Sequence, residues 1–437
     1  MVPTFELIGS TDPCFGWDGT TLAQSLATHR PEATEGAFAG LVHESDRTWL
    51  ARDPLGLGKL FWATADGVVE LANRPERLTA RGHQLEQCAA LPADTVVSYS
   101  HDQGSPAVDP VAVPAVGGQL PSAEPVERIA TRIRDAVTDY VAAVLAARPG
   151  PAVVCLSGGL DSSSVAALVR EHRDDVVAVT FDLARPRSRR RSDDFSAAEA
   201  AARQLGLTLV PAFHTPERLF ELLDTVLVAG VDWRDFNVHA GLVNAALAVT
   251  IAEVLGPQAS AATVFTGDLV NELLADYHSE TYRGRTYYRL PRLPLPRLRA
   301  ALVRGLATSH REIGVFGELG LSVVQPYAVA RDDFLRLPES VLGPGPGKSR
   351  LYRAMFGDRL PRSSYDRPKT RAQTGSENGD RGVLAVCADA GLDERQLARR
   401  FARLHGTDDV AVLTRFLRGG RYRTAIPRGE HDPTSTH

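Results

Sequence analysis

Cysteine and lysine are scarce in this sequence, and the scarcity of each carries information. The chain of 437 residues has four cysteines and no CxxC pair: Cys14, Cys88, Cys155 and Cys387. This wide spacing argues against structural zinc and fits the reduced cytoplasm, where we expect the protein to reside. The three lysines are Lys59, Lys348 and Lys369, and arginine takes nearly every other cationic position. A lysine kept against this bias is a candidate for a role that arginine does not fill.

Long apolar runs and a strong excess of one charge are also missing. No stretch approaches about 18 uninterrupted apolar residues, so we expect no membrane span. The opening stretch MVPTFELIGSTDPC lacks the basic and apolar blocks of a signal peptide, and none is expected there. A net charge of −4 provides no broad electrostatic reason to bind nucleic acid. The sequence does not determine the oligomeric state, and a homodimer is compatible with it.

Residues 1–103 are predicted to form a small β-rich unit. The stretch GAFAGLVHESDRTWLARD is typical of two strands joined by a polar turn at 44–46, and DGVVELANRPERL and TVVSYS supply further strand-like pieces. Residues 104–125 are rich in proline, glycine and alanine with little periodicity, and we interpret them as a linker. The closing residues 426–437 are predicted to be disordered.

Strands and helices alternate after Val126. A helix is predicted from Val126 to just before Pro149. Strands are then predicted at 152–156, 176–182, 207–212 and 262–266, with helices at 161–171, 195–205, 216–228 and 239–255. Such alternation predicts an α/β domain, over residues 126–425, built on a doubly wound parallel sheet. Its later part, 297–424, is predicted to be mostly helical.

The most informative stretch is VVCLSGGLDSSSVAALV, residues 153–169, where a β-branched run leads into a helical pattern. In an open parallel sheet, ligands bind beyond the carboxyl ends of the strands. The two glycines allow close backbone approach, and the amides of the turn and first helical turn attract an anion. Asp161 would repel a phosphate there unless a divalent cation bridged the two. We predict a phosphate and cation site; the alternative is an ordinary glycine-rich turn with an aspartate at the helix start.

The segment SGGLDSS resembles the SGGxDS pyrophosphate loop of the N-type ATP pyrophosphatases, a superfamily that includes asparagine synthetase, GMP synthetase, argininosuccinate synthetase and tRNA-modifying thiolases. Three more stretches narrow the resemblance. LARDPLGLGKLFWA (50–63) is similar to the RDPLGxxPLFY segment of the asparagine synthetase amidotransferase domain, and VFTGDLVNELLADY (264–277) takes the place of SGEGSDELFGGY. GKSRLYRAMFGDRLPRSSYDRPKTRAQTGS (347–376) is similar to the end of the β-lactam synthetase domain. The resemblance implies an ATP-dependent amide ligase of that kind.

The resemblance also implies roles for individual residues. Pyrophosphate and Mg²⁺ would be held by the loop residues Ser157, Gly158, Gly159, Asp161 and Ser162. The nucleotide would be lined by Leu156, Phe181 and Gly267. Asn271 stands where the family has a metal-binding aspartate, so Asp161 and Asn271 are the predicted metal ligands, with Glu272 or Asp268 as further candidates. Lys369 would neutralise charge on the phosphates or the reacting acyl group, and the alternative is a surface lysine.

Two carboxylates are candidates for proton transfer. Asp268 replaces the glutamate of asparagine synthetase and the tyrosine of β-lactam synthetase at a position that faces the acyl adenylate. β-Lactam synthetases pair that tyrosine with a glutamate, and Glu312 lies nearest to it here, with Glu318 as the second choice. Asp268 and Glu312 together would take a proton from an attacking amine. The alternative for Glu312 is a solvated helix residue.

The amino-terminal region departs from the family. Its glutaminase needs a cysteine at the mature N-terminus, whereas Met1 is followed by Val2, and Cys14 lies too close to Arg52 to leave room for the glutamine-binding strands. Residues 1–103 are therefore predicted to be a truncated, inactive relic of an Ntn-hydrolase-like amidotransferase domain.

We expect a small-molecule carboxylate to be adenylated and an amine to attack it, without glutaminase activity, in natural-product biosynthesis. The alternatives are a lasso-peptide macrolactam cyclase and a non-catalytic nucleotide-binding relic. A tRNA-modifying enzyme is disfavoured by the net acidity and by the lack of paired cysteines.

Overall fold

The computed structural model describes residues 4–7, 36–43, 47–100, 124–183, 191–367, 370–375 and 382–416. Cys14, Lys369, most of the predicted linker and the predicted disordered tail lie outside these residues. The chain forms two compact units, Met1–Ala115 together with Ala398–His437, and Val116–Leu397. Residues from Ala398 onward thus group with the first unit, where the Phe416 ring stacks on Phe61 at 6.4 Å. The predicted domain boundaries, which continue the α/β domain to residue 425, stay predictions.

The first unit is β-rich, as predicted. Its strands are β1 (Thr4–Leu7), β2 (Ala39–His43), β3 (Arg47–Arg52), β4 (Phe61–Ala65), β5 (Val68–Ala72), β6 (Ala89–Ala90) and β7 (Thr95–Ser100). They form one sheet of order β1-β5-β4-β6 and one of order β2-β3-β7. Apolar side chains of both sheets, among them Leu50, Trp62, Leu71 and Val97, share one core. The likeness of this unit to an amidotransferase stays a prediction.

The charged side chains of the turn after β3 bond to the backbone of their own surroundings. Asp53 accepts hydrogen bonds from the amides of Phe38, Leu55, Leu57 and Gly58 at 2.7–3.3 Å. Arg52 donates to the carbonyls of Gly58 and Gly56, both at 2.7 Å, and to that of Leu91. Lys59 donates to the carbonyls of Gly56 and Leu57. All three charged side chains are buried, and together they fold the RDPLGLGK segment onto itself.

The second unit contains a five-stranded parallel sheet. Its strands are β8 (Ala152–Cys155), β9 (Val176–Leu183), β10 (Thr208–His214), β11 (Thr263–Phe265) and β14 (Ser322–Val324). A separate antiparallel hairpin is formed by β12 (Glu280–Tyr282) and β13 (Arg285–Tyr287). The sheet order is β10-β9-β8-β11-β14, with every neighbouring pair parallel. The order therefore reverses between β8 and β11, which confirms the predicted doubly wound sheet and marks the point where such sheets bind ligands.

The α-helices of the described residues are numbered in chain order. They are α1 (Pro75–Thr79), α2 (Val126–Ala147), α3 (Leu160–His172), α4 (Asp193–Leu205), α5 (Pro216–Glu221), α6 (Leu223–Gly230), α7 (Asp235–Leu255), α8 (Val270–Leu274), α9 (Leu295–Leu306), α10 (Ile313–Glu318), α11 (Arg331–Arg336), α12 (Pro346–Phe356), α13 (Arg362–Asp366), α14 (Ala372–Gly375), α15 (Gly382–Asp389), α16 (Glu394–Leu404) and α17 (Ala411–Arg415). The predicted segments from 126 to 266 agree with these bounds to within a few residues.

Helix α7 is apolar on nearly every face. Together with the turn that follows it to Ala261, it is the one segment of the described residues long and apolar enough to cross a membrane. However, 61% of its most apolar window is buried within the protein, as expected for the central helix of a folded core. Its residues Ala240, Val243, Asn244 and Leu247 line the cavity described below.

Two short β elements of the second unit were not predicted. Strand β14 lies in a region interpreted as mostly helical, and the hairpin of β12 and β13 follows the VFTGDLVNELLADY stretch. Each of these strands is three residues long. A three-residue strand carries almost no periodic signal, and its pairing with a neighbouring strand determines whether it forms.

Candidate functional site

The glycine-rich turn joins β8 to α3 at the switch point of the sheet. Gly158 has a φ of 74°, and a Cβ there would lie 2.4 Å from the carbonyl carbon of Ala197 in α4. Only glycine satisfies both conditions. The Ser157 amide donates to the Ser162 hydroxyl oxygen at 3.1 Å, which closes the turn. Because α3 starts at Leu160, its first-turn amides and its dipole favour an anion beside this turn.

The turn after β11 lies against the first one. A Cβ on Gly267 would be 2.5 Å from the carbonyl carbon of Asp161, so the two turns approach as closely as glycine permits. Leu269, two residues after Gly267, is buried and has a φ of 82°. A bulky residue with that φ is strained, and such strain persists where surrounding packing imposes it, often at functional sites. Asp268 directly precedes Leu269, and Asn271 follows it by two residues.

Both turns open on a cavity of about 190 Å³ at the carboxyl ends of β8, β9 and β11. Nine of the predicted site residues line it: Leu156, Ser157, Asp161, Ser162, Phe181, Gly267, Asp268, Asn271 and Glu312. Gly158 and Gly159 lie within the turn but not in the cavity wall. Glu318, the second choice for the glutamate, is exposed and is not among the lining residues. Lys369 lies outside the described residues, and the roles of all these residues stay predictions.

Asp161 is held by two side chains of α12. Its Oδ2 lies 2.6 Å from the Lys348 ammonium, and its Oδ1 accepts the Tyr352 hydroxyl at 2.6 Å. Lys348 and Tyr352 are four residues apart on one helix, so their side chains point the same way. Burial alone would lower the pKa of Lys348, but the carboxylates of Asp161 and Asp276 outweigh burial and raise it. Lys348 therefore stays a cation in this position.

The two predicted metal ligands converge on that ammonium. Lys348 Nζ lies 2.7 Å from Asn271 Oδ1 and 3.3 Å from Asp276 Oδ2, in addition to its contact with Asp161. Carboxylate and amide oxygens are the donors that Mg²⁺ prefers, so the chemistry of Asp161 and Asn271 fits the ion. In this structure, however, the cation between them is Lys348, and no cluster of three or more acidic, histidine or cysteine residues that could hold a metal occurs among the described residues.

The cavity lining also includes Asp268, Glu312 and Arg311. Burial, and secondarily the Glu312 carboxylate, raises the pKa of Asp268 to about 7, although the Arg311 guanidinium opposes the rise. Arg311 Nε donates to Glu312 Oε1, its Nη1 to Asn237 Oδ1 at 2.9 Å and its Nη2 to Glu272 Oε1 at 3.0 Å. Every guanidinium nitrogen of Arg311 is thus engaged, and Glu312 is fixed beside the cavity.

Glu272, a further candidate metal ligand from the sequence, bonds to Arg311 and Tyr277 in the structure. Its Oε1 accepts both Arg311 and the Tyr277 hydroxyl, the latter at 2.7 Å. The residue is 4% exposed and is not among the residues that line the cavity. Glu272 therefore anchors Arg311 from behind the cavity wall.

Sequence reasoning missed Lys348, Tyr352 and Arg311 as site residues. Lys348 had a usable signal, because it is one of only three lysines and begins the stretch similar to the end of the β-lactam synthetase domain. Arg311 had none, since it is one of many arginines and only folding brings it to Glu272, 39 positions earlier.

Comparison with known proteins finds a match to part of the chain. Residues 132–314 match the family model described as asparagine synthase. No curated protein sequence matched.

Among solved structures, the chain is similar to the NH3-dependent NAD synthetase from Campylobacter jejuni subsp. jejuni NCTC 11168, solved with nitrate, at 16% identity and a TM-score of 0.24. It is also similar to the glutamine-dependent NAD⁺ synthetase from Acinetobacter baumannii, solved with ADP, at 19% identity and a TM-score of 0.23. These alignments cover 33% and 41% of this chain, and 59% and 31% of those proteins.

Proposed function

We propose that this protein is an ATP-dependent amide ligase that adenylates a small-molecule carboxylate, releases pyrophosphate and transfers the acyl group to an amine. The observation that carries the proposal is one cavity lined by two chemically different groups of residues. The glycine-rich turn and the start of α3 form one group, and the carboxylates of Asp268 and Glu312 form the other. An anion site beside a carboxylate pair is what adenylation followed by amine attack requires.

The phosphate side of the cavity would bind the nucleotide. The amides after Ser157 and the amino-terminal end of α3 favour the phosphates, and Phe181 on β9 offers an aromatic face for the base. Mg²⁺ would neutralise phosphate charge, and Asp161 and Asn271 are the residues that would hold it. Lys348, which contacts both of those oxygens, adds a positive charge next to this part of the cavity.

The acyl-transfer side would handle the amine. An ammonium group must lose a proton before it attacks, and a carboxyl group with a pKa near 7 accepts a proton readily at neutral pH. Asp268 meets that requirement, while Glu312, held by Arg311, supplies a second negative charge that attracts the ammonium. Arg311 holds Glu312 in place, and Asp268 is the group that exchanges the proton.

The decisive experiment is ATP–pyrophosphate exchange by the purified protein with a panel of small carboxylic acids, followed by amide formation with candidate amines. Acid-dependent exchange is expected. If no acid in the panel supports exchange although the protein measurably binds ATP, a nucleotide-binding relic is favoured instead.

The source of the amine is tested separately. We propose that the amine is a free amine, ammonia or an amine within the same molecule, and that glutamine does not supply it. Glutamate release from glutamine would contradict this. A precursor peptide that binds and is cyclised would favour the macrolactam cyclase alternative. A role in natural-product biosynthesis follows only if the accepted acid is not a primary metabolite.

A further inference from the structure

Asp194 is a buried carboxylate that touches two other parts of the chain beside the cavity. It lies in the first turn of α4, after the N-cap Ser192, whose hydroxyl accepts the Phe195 amide at 3.0 Å. Asp194 is 5% exposed and lines the cavity, whereas the adjacent Asp193 is exposed. Two neighbouring aspartates on one helical turn therefore occupy different environments.

The first contact of Asp194 is an ion pair with Arg367. Arg367 Nη2 donates to Asp194 Oδ1, and Nη1 donates to the Ser157 carbonyl at 2.7 Å. One guanidinium thus bridges α4 and the glycine-rich turn. Bonds between ionised groups of this kind are about twice as strong as neutral ones.

The second contact of Asp194 is with Gly375, at the end of α14. A Cβ on Gly375 would lie 2.3 Å from Asp194 Oδ1 and 2.5 Å from Oδ2, far inside van der Waals distance. The φ of Gly375 is not in the left-handed region, so alanine is acceptable to the backbone there. A side chain at this position would displace the Asp194 carboxylate, because the carboxylate occupies the space that a Cβ would take.

Four residues just before Gly375 form part of the cavity. The lining includes Thr370, Arg371, Ala372 and Gln373 as well as the glycine-rich turn. The same helix α4 also supports that turn, because a Cβ on Gly158 would overlap the backbone of Ala197. Helix α4 is therefore a common support for two walls of one cavity.

We propose that Asp194 is a positioning residue that holds residues 370–375 in register with the glycine-rich turn, through the Arg367 ion pair and close packing on Gly375. Its consequence for turnover rests on the proposed function; its consequence for the position of residues 370–375 rests on the geometry alone. The tests below separate the two.

The first test measures backbone amide hydrogen exchange over residues 370–375 in the full chain. Asp194→Ala should accelerate exchange there by about tenfold or more, the scale of one lost charge-assisted hydrogen bond. Asp193→Ala, one position away on the same turn, is the matched control and should leave exchange unchanged. Equal exchange in the two variants would overturn the proposal. If Asp194→Ala does not fold, Arg367→Gln removes the same ion pair from its other side and must give the same local acceleration.

The second test uses the steric relation between Asp194 and Gly375. Gly375→Ala alone should lower the rate of ATP–pyrophosphate exchange by about 10²-fold, the loss typical of a misplaced cavity wall, with a smaller change in the KM for ATP. Added to Asp194→Ala, which vacates the space, the same substitution should lower the rate by less than about threefold. Equal losses in both backgrounds would overturn the proposal.

A catalytically silent wild-type protein would count against the proposed function only. In that event the same variants are compared by backbone amide hydrogen exchange over residues 370–375. Gly375→Ala should then accelerate exchange in the wild-type background and not in the Asp194→Ala background. Acceleration in both backgrounds would show that the close packing on Asp194 has no positioning role.

Discussion

Two glycine-containing turns of this protein each follow a strand and carry an aspartate. They differ in which groups bond to the aspartate carboxylate. After β3, Asp53 accepts backbone amides from its own turn and from Phe38, and Arg52 and Lys59 donate to backbone carbonyls close by. After β8, Asp161 bonds to the side chains of Lys348 and Tyr352, which lie 187 and 191 residues further along the chain.

The difference separates a structural motif from a candidate site. A charge satisfied by fixed backbone groups stabilises one conformation and has no freedom to exchange partners. A charge held by other side chains at the edge of a cavity can exchange those partners for a ligand. The RDPLGLGK turn is of the first kind and the SGGLDSS turn of the second, although the two look equally functional in sequence.

The largest effect is expected at Asp161. Asp161→Ala should reduce ATP–pyrophosphate exchange below detection, because the phosphate wall loses its carboxylate and Lys348 loses a partner, while the protein remains folded. The matched control is Asp174→Ala, an exposed aspartate after α3. An Asp161 variant with activity within a few fold of wild type would show that the turn is misassigned.

Lys369 comes next. If it stabilises charge during acyl transfer, Lys369→Met should lower turnover by ~10²–10³-fold with little change in substrate binding. Lys369→Arg should also be poor, because a planar guanidinium does not replace a compact ammonium. Arg362→Met, which removes a strongly exposed cation on α13, serves as control. Near-normal turnover by Lys369→Arg would mean that Lys369 is only a surface cation.

A smaller, graded effect is expected from Asp268. With its pKa raised to about 7, Asp268 is protonated below that pH and cannot accept the amine proton. The rate of amide formation should therefore fall about tenfold per pH unit below pH 7 and level off above it. In Asp268→Asn the rate should be low and this dependence should disappear. Glu318→Gln, at an exposed glutamate, should retain the wild-type pH profile.

The smallest effect on activity is expected from the first turn. Asp53→Asn should lower the free energy of unfolding by about 1–3 kcal/mol, because buried amides lose part of their acceptor. ATP–pyrophosphate exchange at a temperature where the variant is folded should be unchanged. If Asp53→Asn loses ATP–pyrophosphate exchange without losing stability, the distinction between the two turns is wrong.

The sheet and its flanking helices were predictable because their signals are local. Strands β8 to β11 and helices α2, α3 and α4 follow from apolar periodicity within each segment, and their order implies the doubly wound sheet. Strand β14 was not predictable, since three residues carry no period and only pairing with β11 makes them a strand.

The candidate site also has one part that was predictable from the sequence and one part that was not. Sequence alone determined the glycine-rich turn at the end of β8, because a strand, two glycines and a helix start within seven residues leave little choice of local geometry. Only the tertiary structure decided that Lys348 lies between Asp161 and Asn271, that Arg311 fixes Glu312, and that Asp194 packs on Gly375. Those partners are far apart in the chain, and the free energy of packing the whole unit brings them together.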